Sequence, residues 1–126
     1  MANERFKLIV AEKDDFMREK IAGLLSRHRD VRMVVLAGDF VSLEKTVREV
    51  KPDAVFIDAA LVQGERDGVS ALKRRFSGMM AAAMLDYEID AREKKESLAG
   101  FDAYILKKDL LQEAEKLFEI IKRNNG

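Results

Sequence analysis

The feature that most constrains this chain is a set of five short apolar runs, at 7–11, 31–37, 54–57, 79–85 and 103–106. Each is four to seven residues long, which suits a strand better than a helix. None alternates apolar with polar residues. A strand that is apolar on both sides has both sides covered, as in a parallel sheet lying between helical layers.

Between the runs the period lengthens to that of a helix. Met17, Ile21, Leu24 and Leu25 share one face behind Asp14 and Asp15, either of which can cap it. Leu43, Val47 and Val50 repeat the spacing, and Lys51-Pro52 ends that helix. Val69, Leu72 and Phe76 follow Gly68, and Leu110, Ala114, Leu117 and Ile121 follow Asp109, with Gln112 in capping-box position. The stretch 89–99 is different: among its charged residues only Ile89, Ala91, Leu98 and Ala99 are apolar. A helix there is weakly anchored and is expected to be the most mobile. Five strand–helix units in strict alternation predict an α/β fold. It is a doubly wound, five-stranded parallel sheet with five helices in three α/β/α layers.

Composition limits the function. The 126 residues fit one domain, taken as a single stand-alone unit over 1–126. There is no cysteine, which removes disulfides, thiolate metal sites and a cysteine nucleophile. With 23 basic and 23 acidic side chains, the net charge of +0 argues against nucleic acid as a partner. No apolar run approaches the roughly 20 residues of a membrane helix, and the first residues lack a signal-peptide pattern. A cytoplasmic domain with no membrane partner is the expectation.

In such folds the working residues sit at the carboxyl ends of the strands. Those ends carry Glu12-Lys13-Asp14-Asp15, Asp58, Asp86-Tyr87 and Lys107-Lys108. A carboxylate-lined pocket with lysine is therefore expected at one edge of the sheet. A phosphate loop is missing, since the G-x-x-x-G spacing from Gly64 to Gly68 holds Glu65, Arg66 and Asp67. A hydrolase elbow is missing too. His28, within Arg27-His28-Arg29, suits a helix terminus better than catalysis.

Several stretches, in order and spacing, resemble the receiver domain of two-component response regulators over nearly the full chain. They are Leu8-Ile9-Val10-Ala11-Glu12 with Phe16-Met17-Arg18-Glu19, Lys51-Pro52-Asp53-Ala54-Val55-Phe56-Ile57-Asp58, Asp67-Gly68, and 99–107 ending in Tyr104-Ile105-Leu106-Lys107. The resemblance implies a flavodoxin-like sheet of order 2-1-3-4-5. It implies that Asp58 is the phosphoacceptor for a histidine kinase and that Lys107 is the family's invariant lysine. It also makes Tyr104 the aromatic switch. Mg²⁺ would be held by Glu12, Asp58 and the carbonyl of Ala60. Positioning and cations supply most of the help in such a phosphoryl transfer.

The chain also departs from the pattern. The acidic pair reads Glu12-Lys13, so an ammonium stands where the main metal-binding carboxylate belongs, and Mg²⁺ wants hard oxygen ligands. The hydroxyl position is Asp86, the loop after Asp58 is longer than the family norm, and Lys108 replaces a proline. A bulged register would instead offer Asp14 and Asp15 as the pair. In the favoured register Lys13 either takes the metal's place beside Asp58 or extends to solvent.

Two functions follow as expectations. The first is an atypical receiver, impaired in Mg²⁺ binding and phosphorylation and not an enzyme, that works through protein–protein interaction. With no further domain after Gly126, output would pass through a signalling partner or a homodimer. The face for it is the fourth helix, fifth strand and fifth helix, with Tyr87, Tyr104 and Leu111 as contacts and Leu110 better read as core. The second is a working phosphoreceiver on Asp58. A small-molecule sensor using the altered pocket ranks behind both.

Overall fold

The computed structural model describes residues 5–63 and 67–125, so Gly64, Glu65 and Arg66 of the loop after Asp58 lie outside the described residues. Strands and helices alternate: β1 (Phe6–Ala11), α1 (Asp15–Ser26), β2 (Val31–Ala37), α2 (Phe40–Val50), β3 (Ala54–Asp58), α3 (Gly68–Arg75), β4 (Met80–Leu85), α4 (Ala91–Ser97), β5 (Ala103–Leu106) and α5 (Leu110–Asn125). Short 3-10 turns, Ala59–Val62 and Lys107–Asp109, follow β3 and β5. The five strands form one sheet in the order β2-β1-β3-β4-β5, and every neighbouring pair is parallel.

The apolar runs are continuous because alternate residues feed two separate cores. Leu8, Val10, Phe56, Ala82, Met84 and Ile105 pack with Ile21 and Leu25 of α1 and with Ala114, Leu117 and Phe118 of α5. Their neighbours Ile9, Ala11, Val55, Ile57, Ala81 and Ala83 pack on the other face with Leu43 and Val47 of α2 and Val69 and Leu72 of α3. Phe118 is the hub of the first core, with its ring 5.5 Å from Phe6 and 6.5 Å from Phe56. His28 meets Phe118 edge-on at 5.0 Å, and its Nδ1 accepts the Asp30 N–H at 3.0 Å. It therefore closes the turn after α1, well away from the carboxyl ends of the strands.

Helix starts follow short acidic caps. Asp14 Oδ1 accepts the Met17 N–H at 2.8 Å, Asp39 Oδ1 accepts that of Ser42 at 2.7 Å, and Asp90 Oδ1 accepts that of Glu93 at 2.8 Å. Asp109 differs from its expected capping role, because it closes a 3-10 turn that runs straight into α5. Among the helices α4 is the least anchored. It is seven residues long and buries none of them. Leu98 just beyond it is buried, and Ile89 just before it packs on the same core.

Candidate functional site at the carboxyl edge of the sheet

Four strand ends converge on one amine. Glu12 follows β1, Asp58 ends β3, Asp86 follows β4 and Lys107 follows β5. The central strands β1 and β3 are neighbours, so their terminal carboxylates are brought side by side. Lys107 Nζ lies 2.9 Å from Glu12 Oε1, 3.1 Å from Asp58 Oδ2 and 3.2 Å from Asp86 Oδ1. Glu12 and Asp58 are buried, while the Asp86 side chain is 67% exposed and its link to Lys107 is screened by water.

The remaining oxygens of the buried pair are also engaged. Glu12 Oε2 accepts the Asp14 N–H at 3.1 Å, and Asp58 Oδ1 accepts the Ala60 N–H at 3.0 Å. Each of the four oxygens thus meets a donor, with Lys107 Nζ serving two of them. No buried side-chain nitrogen or oxygen among the described residues is left without a partner.

This network separates the ionisations. Burial pushes the Glu12 carboxyl above its usual range, and the facing Asp58 adds to the rise against the pull of Lys107 and the Asp14 N–H. Burial pushes Asp58 up as well, but hydrogen bonding from Glu12, from the Ala60 N–H and from Lys107 outweighs it, and Asp58 is held low. Asp58 is thus the partner that stays ionised, and Glu12 is the one that takes a proton first. Burial opposes the charge on Lys107, yet the carboxylates outweigh it and keep the ammonium charged well above the ordinary lysine range.

Lys13 does not play the part of a metal substitute. Its side chain is exposed and makes no ion pair with Asp58, so of the two placements left open for Lys13 the structure has the one that extends to solvent, and the amine beside Asp58 belongs to Lys107. The cause is local. Arg18 Nη1 donates to the carbonyl oxygens of Glu12, at 2.8 Å, and Lys13, at 3.4 Å. This fixes the backbone with the Lys13 side chain outward. Arg18 also holds Asp15 through Nη2, and Asp14 is spent on the helix cap, so neither aspartate of the bulged register reaches the site. Nothing in the sequence pattern singles out Arg18, whose partners are main-chain atoms.

The donor set can be tested against Mg²⁺, which the receiver resemblance implies. The ion needs several hard oxygens on one side of a near-octahedral shell. Here the Glu12 and Asp58 oxygens already face donors, and Lys107 fills the space between the two carboxylates. The Ala60 carbonyl, expected as a ligand, accepts the Gln63 N–H at 3.4 Å, and it is the Ala60 N–H that meets Asp58. Among the described residues no three His, Cys, Asp or Glu side chains are grouped to hold a metal ion. This arrangement does not fit Mg²⁺.

Beside Asp58 a cleft of about 510 Å³ opens between the turn after β3, the loop after β4, and α4. Tyr87 lies on its wall and is 72% exposed. Tyr104 of β5 is exposed, with Lys94 Nζ of α4 5.1 Å above its ring. Leu111 is exposed and Leu110 is buried, as their places on α5 suggested.

The fold is that of response regulator receiver domains. The receiver domain of Thermotoga maritima CheB superposes with a TM-score of 0.71 over 95% of this chain and 96% of that one, at 19% identity. A response regulator from Thermotoga maritima gives 0.77 over 94% and 98%, at 22% identity. A LuxR-family response regulator from Aurantimonas gives 0.79 over 94% and 86%, at 19% identity. In sequence, the chain is similar to protein-glutamate methylesterase/protein-glutamine glutaminase 1 of Methanospirillum hungatei, 27% identical over 106 residues. That match takes in 80% of this chain but only 30% of the relative's length. No protein-family model matches the chain. No helix among the described residues is long and apolar enough to cross a membrane.

Proposed function

We propose that this chain is an atypical receiver domain of a two-component signalling pathway, acting through protein–protein contact, with Lys13 and Asp86 standing where a receiver's second acidic metal ligand and hydroxyl group belong. The observation that carries the reading is the Lys107 ammonium within 3.2 Å of three carboxylates, with Asp86 at the hydroxyl position. A phosphoryl group on Asp58 would replace one negative charge by about two, beside Glu12 and Asp86, with only Lys107 in compensation. Two unit charges about 4 Å apart repel by on the order of 4 kcal/mol at a near-surface effective dielectric. Without a divalent ion, that cost opposes the modification. The partner is a histidine kinase or another signalling protein, and the α4–β5–α5 face with Tyr87, Tyr104 and Leu111 is the surface offered.

A working phosphoreceiver is the second reading. It is favoured by Asp58 being held ionised on the wall of an open cleft, as a nucleophile must be. Incubation with acetyl phosphate and Mg²⁺ followed by intact-mass measurement separates the two. The wild type should stay unmodified, and the Lys13→Asp/Asp86→Thr double variant should gain one phosphoryl group. Stoichiometric modification of the wild type, abolished by Asp58→Asn, would reject the first reading.

A further inference from the structure

The cleft beside Asp58 has a lining that phosphoryl chemistry does not call for. Its volume of about 510 Å³ is that of a small-molecule site. The floor is apolar, formed by Val62, Met84, Leu85, Ile89 and Leu98. Four carboxylates line it, from Asp58, Asp86, Glu93 and Glu96, and no lysine, arginine or histidine does. Only part of that charge is answered nearby. Lys107 is shared among Glu12, Asp58 and Asp86, and Arg92 Nε reaches Glu96 at 3.0 Å. Among the described residues Glu93 makes no ion pair, the α4 pairs being Arg92 with Glu96 and Lys94 with Glu88, and Glu93 lines the cleft.

We propose that this cleft binds a small organic cation, an ammonium or amidinium group carried on an aryl or alkyl body. The charged head lies among Asp86, Glu93 and Glu96, and the body lies on the apolar floor. The exposed Tyr87 ring adds a face for the cation. An inorganic cation does not suit this lining, because half of its residues offer no side-chain oxygen and the Asp58 oxygens already have donors. Anionic ligands are repelled by the same carboxylates. A basic side chain of a partner protein shares the head group, but a recess of about 510 Å³ with an apolar lining is matched better by a free molecule. The inference concerns the cleft and does not depend on whether Asp58 is phosphorylated.

The test titrates the whole chain with 2-phenylethylammonium and benzamidinium, using 2-phenylethanol and phenylacetate as neutral and anionic controls. Amide NMR shifts locate the binding, and tyrosine fluorescence follows it, since the chain has two tyrosines and no tryptophan. The cations should perturb Tyr87, Ile89 and Leu98. The neutral analogue should bind about tenfold more weakly, the anion weaker still, and Glu93→Gln should weaken the cations by about the same factor. Glu93 is exposed, so this variant leaves the fold intact. Equal binding of cation and neutral analogue, or shifts outside the cleft, would overturn the proposal. So would a response to a lysine-rich peptide with none to the free amines, which would give the cleft to a protein partner.

Discussion

At the scale of single residues, Lys107 is the side chain on which the site depends, because it alone balances two buried carboxylates. Replacing it with Met leaves Glu12 and Asp58 buried without their cation. Breaking a buried pair in this way costs roughly 3–5 kcal/mol, so the urea midpoint of Lys107→Met should fall by the corresponding amount at neutral pH. The pH dependence carries a sign that can be worked out. Folding raises the pKa of Lys107, so the folded chain keeps this proton to higher pH than the unfolded chain does. The resulting stability is complete below the ordinary lysine value of 10.5 and is lost as pH rises through the folded value. Stability measured by urea unfolding above pH 10.5 should therefore fall less steeply in Lys107→Met than in the wild type. Equal slopes would mean that the ammonium is not held by the carboxylates.

The resemblance places Lys107 at the Asp58 site, but whether Lys13 would join it there was not legible in the sequence. Lys13 and Lys107 each end a strand run, and spacing alone cannot tell which of two amines turns inward. The choice is made by Arg18, whose guanidinium grips the carbonyls of Glu12 and Lys13. Gly38 lies beside it, and a Cβ there would stand 3.1 Å from Arg18 Nη1. Contacts to main-chain oxygens leave no residue pattern to read.

At the scale of elements, α4 differs from the other helices in being held mainly from its ends. Asp90 caps it, Lys94 links it to the Tyr104 ring and stands 3.5 Å from Glu88, and the buried Leu98 lies just past its last residue. Its amides should exchange with solvent faster than those of the other four helices in hydrogen-exchange mass spectrometry. Asp90→Ala removes a cap worth about 1 kcal/mol, so exchange in α4 should quicken roughly fivefold while global stability stays unchanged. Exchange in α4 as slow as in α5 would show that its few contacts hold it more firmly than its burial implies. The strands were legible for the opposite reason. Each run feeds two covered faces, so its apolar residues are unbroken, and the observed strand bounds fall within a residue of the runs at 31–37, 54–57, 79–85 and 103–106.

At the scale of the whole molecule, parallel β1, β3, β4 and β5 deliver four functional side chains to one edge. The fold fixes that delivery, and the side chains decide what the edge can do. A receiver scaffold with Lys13 outward, Asp86 at the hydroxyl position and Lys107 between two buried carboxylates has its cation tethered to the chain. Titration with Mn²⁺, a paramagnetic stand-in for Mg²⁺, measures this most directly through selective broadening of amide signals. The prediction is that the signals of Glu12, Asp58 and Ala60 broaden no more than those of the surface, even with the ion in excess. Selective loss of those three signals at low Mn²⁺, reversed by added Mg²⁺, would contradict it.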